Sequence, residues 1–164
     1  GDTARVLQEI AAMTAGLTER DFAGVTAENA VTAGQKLYLQ YGITGVRGQV
    51  EAGLPAVRDY GLPALENGLA QRYDLNRSGC GALLAILANS TDTNIIARSS
   101  RERQQALVQE LKALLTRTPY PDEAALAALD DSFRAERLSP GGSADLLALT
   151  YLLYFFKTED NGHV

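Results

Sequence analysis

The chain reads as an all-α protein. Apolar residues recur at three- and four-residue spacing along nearly its whole length, and no strand-like alternation competes with that period. Capping residues and glycines also stand where such runs begin and end. The expected architecture is a multi-helix bundle over residues 1–157, one domain and part of a larger all-helical one, followed by a disordered tail over 158–164.

Each element has a local cause. Asp2 or Thr3 opens a first helix in which Val6, Leu7, Ile10 and Met13 share a face, and Gly16 closes it. Residues 18–22 read as a short helical turn. Thr26 caps a helix that ends at Tyr41, with Leu37, Tyr38 and Tyr41 on one side and Gly42 beyond. Residues 43–46 connect. Residues 47–60 are helical again, kinked or broken at Pro55 and ended by Gly61, and a helix over 62–73 follows. The helix over 77–89 is very apolar through Ala82-Leu83-Leu84-Ala85-Ile86-Leu87, and residues 90–94 break it with polar groups. Ser100 caps a charged helix over 101–117 whose Leu107, Leu111, Leu114 and Leu115 face inward. Pro119 and Pro121 punctuate, Asp122 opens a helix over 123–137, and the last helix covers 143–157.

Composition narrows the function classes. The 164 residues are 46% hydrophobic and 21% charged, an ordinary soluble balance for one domain's worth of chain. A net charge of −5 argues against nucleic-acid or membrane-surface binding. It leaves a nucleotide site open, where two or three local cations suffice. Cys80 is the only cysteine, so no internal disulfide forms and a reducing, cytoplasmic setting is expected. One histidine, His163 near the end, leaves no material for a histidine triad, a zinc cluster or a histidine base. The longest apolar run, around 146–156, is shorter than the roughly 20 residues a membrane span needs, and no secretory signal pattern opens the sequence.

Three polar breaks carry the chemistry. In Gly45-Val46-Arg47-Gly48-Gln49-Val50-Glu51-Ala52-Gly53, Arg47 and Glu51 are four apart and share a helix face. They form either a surface ion pair worth ~0.2–0.5 kcal/mol or part of a site. In Thr91-Asp92-Thr93-Asn94, with Arg98 following, Asp92 and Asn94 offer oxygen ligands suited to Mg²⁺ beside phosphate, or else a helix cap. The third break is Ser139-Pro140-Gly141-Gly142-Ser143-Ala144-Asp145-Leu146-Leu147. Ser139 can cap, Pro140 suits a first turn, and the glycines admit close approach. A helix start attracts anions, and Asp145 adds a carboxylate one turn in. It is not a Walker loop, because no Gly-Lys-Ser/Thr follows. Together the breaks supply carboxylates (Glu51, Asp92, Asp145), guanidinium groups (Arg47, Arg98), an amide and a helix start, an inventory that suits a metal–polyphosphate ligand.

In order and spacing these motifs resemble the C-terminal part of the triphosphoribosyl-dephospho-CoA synthases. The matching residues are Tyr41-Gly42-Ile43-Thr44-Gly45-Val46-Arg47-Gly48 with Glu51-Ala52-Gly53 and Pro55, then Asp92-Thr93-Asn94 with Arg98, then 138–147 entire. The similarity extends thinly from the first helix to about Phe156. The resemblance implies transfer of the triphosphoribosyl group of ATP to 3′-dephospho-CoA with release of adenine. The product is the prosthetic-group precursor for the acyl carrier protein of citrate lyase or malonate decarboxylase. It further implies catalysis by Glu51, Asp92 and Asp145, with Glu51 nearest the reacting sugar, and Mg²⁺ held by Asp92 and Asp145. ATP and its phosphates would be bound by Arg47, Gly48, Asn94, Arg98, Ser139, Gly141, Gly142 and Ser143.

The chain also departs from the family. Gln49 stands where a glutamate is usual, Ser99-Ser100 where a glycine pair is usual, and Ala135-Glu136-Arg137 where Glu-Arg-Asn is usual. The family's N-terminal elements, Pro-Lys-Pro-Gly, Gly-Ala-His and Asn-Thr-His-Lys-Gly, do not occur. The chain is therefore expected to be a C-terminal portion that pairs with the missing half or with a second copy. The competing expectation is a non-catalytic helical module that binds a nucleotide or a partner helix.

Overall fold

In the computed structural model, residues 2–160 are described, and among them every regular element is helical. The first is α1 (Thr3–Met13), with the Asp2 carboxylate accepting from the Arg5 N–H at its start. Then come α2 (Leu17–Phe22), α3 (Ala33–Tyr41) and α4 (Val46–Glu51). A π-helical turn (Val57–Gly61) runs without a break into α5 (Leu62–Ala70). There follow α6 (Leu75–Ala88), α7 (Thr93–Arg98), α8 (Arg101–Arg117), α9 (Glu123–Ala135) and α10 (Gly141–Asp160). The all-α expectation holds. No described helix is long and apolar enough to cross a membrane.

Helix α6 is the central post, packed against α5, α8, α10 and the π turn. Its sides serve two cores. Ile86 joins Leu7, Leu54, Val57, Leu62, Leu146 and Leu153 in one, while Leu84 and Leu87 join Ile95, Leu107, Leu111 and Leu138 in the other. Leu126, Leu129 and Phe133 of α9 cover the second core from outside. Glycine lets neighbouring side chains pack directly against the backbone. A methyl group at Gly61 would stand 2.5 Å from the Thr150 hydroxyl of α10 and 3.0 Å from Ile86 of α6.

Local capping chemistry sets several boundaries as expected. Ser100 caps α8 through the Arg103 N–H, and Asp122 caps α9 through that of Ala125. Several expectations need correction. Helix α3 begins at Ala33, because Thr32 and Gln35 make a reciprocal capping box, whereas Asn29 folds Thr26 into a turn. Gly61 does not end a helix but lies inside one. Met13, placed on the buried face of α1, is 82% exposed. Polar break 90–94 contains the start of a short helix, α7. The last helix starts two residues earlier than expected and continues to Asp160, where the Thr158 hydroxyl donates to the carbonyls of Tyr154 and Phe155. The rest of the expected tail, 161–164 with His163, lies outside the described residues.

Candidate functional site

Two helix starts meet at one buried carboxylate. Asp92 precedes α7 and is 2% exposed. Its Oδ1 accepts from the N–H groups of Asn94 (2.9 Å) and Ile95 (3.4 Å). Its Oδ2 accepts from both the N–H and the hydroxyl of Ser143, each at 2.8 Å, in the first turn of α10. An ionised carboxylate offers about four acceptor positions, and here all are used. The positive ends of both helices thus converge on an anion that the chain itself supplies. Asp92 serves here as a shared cap whose acceptor positions are taken by the chain itself. Ser143 is buried and spends both donors on that cap.

Beside this knot lies a cleft of about 160 Å³. Its walls come from all three sequence breaks and from α3: Gly34, Ile43 to Arg47, Thr93, Asn94, Gly142 and Asp145. Backbone freedom builds two walls. Gly45, ahead of α4, has φ 60° and ψ −143°, a conformation essentially confined to glycine, and Thr93 packs against the space a side chain would fill. Gly141 leaves room for the Asn94 amide, which a Cβ there would overlap. Pro140 precedes α10 and has no N–H, so of the orphan donors at that helix start, the first belong to Gly141 and Gly142.

Arg47 reaches the cleft from α4. Its Nε donates to Asp21 at 2.5 Å and its guanidinium lies 5.6 Å from the centre of the Phe22 ring, both on α2. Asp145 is exposed and is the carboxylate among the lining residues; Asn94 is exposed beside it.

Other expected site residues stand elsewhere. Glu51 and Arg47 share a face of α4 but do not pair. Glu51 accepts from the N–H of Gly16 at 2.7 Å and from the N–H and hydroxyl of Thr18, capping α2. The Thr18 hydroxyl bond above all holds its carboxyl below the usual range. That position is the α1–α2 junction rather than the cleft, whose lining does not include Glu51. Helix α4 thereby grips α2 at both ends. Arg98 is exposed at the far end of α7 from Asn94. Ser139 lines a separate apolar groove between α6 and α9. Gly48 packs against Thr44, where a Cβ would collide, and lines a neighbouring hollow.

The departures at 49 and 99–100 have structural jobs. The Gln49 side-chain oxygen accepts from the Ala56 N–H, which a glutamate could also do, and Ser99 and Ser100 bond to the Ile95 carbonyl and the Arg103 N–H. Sequence reasoning missed Gly34 and the Asp21 partner of Arg47. Gly45 and Thr93 were legible only as parts of longer motifs.

No solved structure matches this chain. It is 42% identical over 134 residues to the 2-(5''-triphosphoribosyl)-3'-dephosphocoenzyme-A synthase of Pectobacterium atrosepticum, covering 82% of this chain and 44% of that protein. It is 38% identical over 154 residues to a probable synthase of the same name from Albidiferax ferrireducens, and 34% identical over 162 residues to one from Malonomonas rubra. These cover 92% and 94% of this chain and 50% of each relative. The chain thus spans about half the length, or less, of these curated relatives. The family model for ATP:dephospho-CoA triphosphoribosyl transferase matches residues 1–163, and with 42% identity to a synthase over most of its length the chain belongs to that family.

Proposed function

We propose that this chain carries the triphosphate-binding part of an enzyme that transfers the triphosphoribosyl group of ATP to 3′-dephospho-CoA. The observation that supports it is the meeting of the three motifs in one cleft: Thr44 to Arg47, Thr93 with Asn94, and Gly142 with Asp145. In the reaction an alcohol of dephospho-CoA attacks the anomeric carbon of the ATP ribose. The carbon–oxygen bond forms, the bond to adenine breaks, and the base leaves with the proton while the triphosphate stays on the sugar. Its transition state carries oxocarbenium-like positive charge.

The chain's residues divide this work. Arg47, held by Asp21, meets phosphate oxygens, and the leading N–H groups of α10 add donors. Asp92 takes no direct part; it holds the two helix starts in place. The donor set suits Mg²⁺ arriving with the triphosphate, since that ion is bound through one or two carboxylates with phosphates and water. Asp145 and the Asn94 amide oxygen would hold it, and it would neutralise phosphate charge. The product would feed the prosthetic group of an acyl carrier protein, and the reaction would run in the cytoplasm. A second copy of the chain, or the half of the family's length that it does not span, would complete the cleft.

Adenine release from ATP plus 3′-dephospho-CoA tests this reading, with the chain alone and with a full-length relative carrying the matching substitution. Asp145→Asn is expected to abolish release while leaving the helical fold unchanged. Full activity in that variant would end the assignment. ATP binding without turnover in either protein would favour a non-catalytic nucleotide-binding module.

A further inference from the structure

The cleft is small for a nucleotide, but it does not end at its own walls. It shares Ile43, Thr44 and Gly45 with a hollow of about 390 Å³, and that hollow shares Asn89, Ser90 and Thr91 with another of about 380 Å³. The three form one trench along the connecting segment before α4 and the turn after α6, ending between the π turn and α8. Ligand sites of a few hundred Å³ and more accommodate molecules of nucleotide size.

The far end has a distinct chemistry. Gln104, Val108 and Lys112 follow at four-residue spacing along α8, and Gln105 and Gln109 run beside them on the same face. Gln104 is nearly buried and its amide donates to the Ser90 carbonyl at 3.1 Å, which presets its orientation. Opposite stands the Tyr60 ring, 41% exposed. In a chain with 20 acidic residues, no carboxylate among the described residues lines either hollow. Side-chain amides offer the paired donor and acceptor that match a purine edge, an exposed ring offers a stacking face, and one lysine offers a charge for phosphate.

We propose that this far end, between Tyr60 and the Gln104–Gln105–Lys112 face of α8, is a subsite for the base of an adenine nucleotide, with Lys112 placed for the diphosphate where that nucleotide is the acceptor. It rests on the reading of the cleft as a triphosphate site, which it extends. Two sources share this chemistry: the adenine of ATP, and the adenosine diphosphate end of the acceptor. Tyr60 and Lys112 are both exposed, so their replacement leaves the cores intact.

Isothermal titration of the chain with ATP, with 3′-dephospho-CoA and with inorganic tripolyphosphate separates these sources. Tyr60→Ala and Lys112→Met are expected to weaken one nucleotide at least tenfold and to leave tripolyphosphate binding and the thermal midpoint unchanged. Loss confined to ATP assigns the donor's base, and loss confined to dephospho-CoA assigns the acceptor. Nucleotide affinities unchanged in both variants overturn the subsite and leave the transfer reading standing. Nucleotide binding lost in the variants, with no adenine released by the wild type or the full-length relative, supports the subsite and overturns the transfer reading. Failure of the wild-type chain to bind either nucleotide overturns the subsite.

Discussion

Asp92 and Ser143 lie 51 residues apart and are joined twice, the carboxylate oxygen accepting the backbone N–H and the hydroxyl at 2.8 Å each. The same carboxylate caps α7, so one side chain fixes the relative placement of two cleft walls. Asp92→Ala removes both caps and leaves donors unpaired in a buried place, and it is expected to cost about 3 kcal/mol. Ser143→Ala keeps the backbone bond and is expected to cost about 1 kcal/mol. Urea unfolding of the two variants checks the order. Equal costs would mean that the shared cap does not exist as described.

Glu51 is expected to govern part of the acid limb of stability. Its hydrogen bonds from Thr18 and Gly16 depress its folded-state pKa, so its contribution is present above the ordinary glutamate value, about 4.3. That contribution fades as pH falls below this value and through the folded one. Glu51→Gln should therefore flatten the loss of thermal midpoint on acidification, and a wild-type slope in the variant would contradict the α2 cap.

Gly141 is expected to matter for binding more than for folding. A Cβ there would overlap the Asn94 amide, which is exposed and can turn away. Gly141→Ala should change stability by less than about 1 kcal/mol, with alanine's helix preference offsetting the crowding. ATP affinity should fall about tenfold, equivalent to about 1.4 kcal/mol. Titration calorimetry beside thermal melting reads both effects. A variant that melts normally and binds ATP like the wild type would remove Asn94 from the site.

Chain-local chemistry was the legible part. Ser100 and Asp122 announce their helices because a cap acts within three residues of itself, and Leu107, Leu111, Leu114 and Leu115 of α8 fall on one helical face. Partners far along the chain were not legible. Arg47 and Glu51 four apart suggest a mutual pair, but their bonds go 26 and about 35 residues away to α2. Asp92 was recognisable as a cap, yet nothing in its neighbours names Ser143 as its second partner. Glycines were ambiguous for a related reason: Gly42 ends a helix in left-handed conformation, whereas Gly61 makes space for α6 and α10. Only the packed structure separates those uses.

The π turn at Val57–Gly61 has a further consequence. There the Leu62 N–H reaches back five residues to the Val57 carbonyl, so the winding holds an extra residue. Val57 and Gly61 stay buried while Tyr60 is carried outward. Deleting one residue from this turn would restore regular winding while the segments on either side keep their register, and the outward bulge that carries Tyr60 would be lost. The position of the Tyr60 ring is thus encoded by residue count as much as by residue type, and an insertion or deletion here would alter the trench without touching a single side chain that lines it.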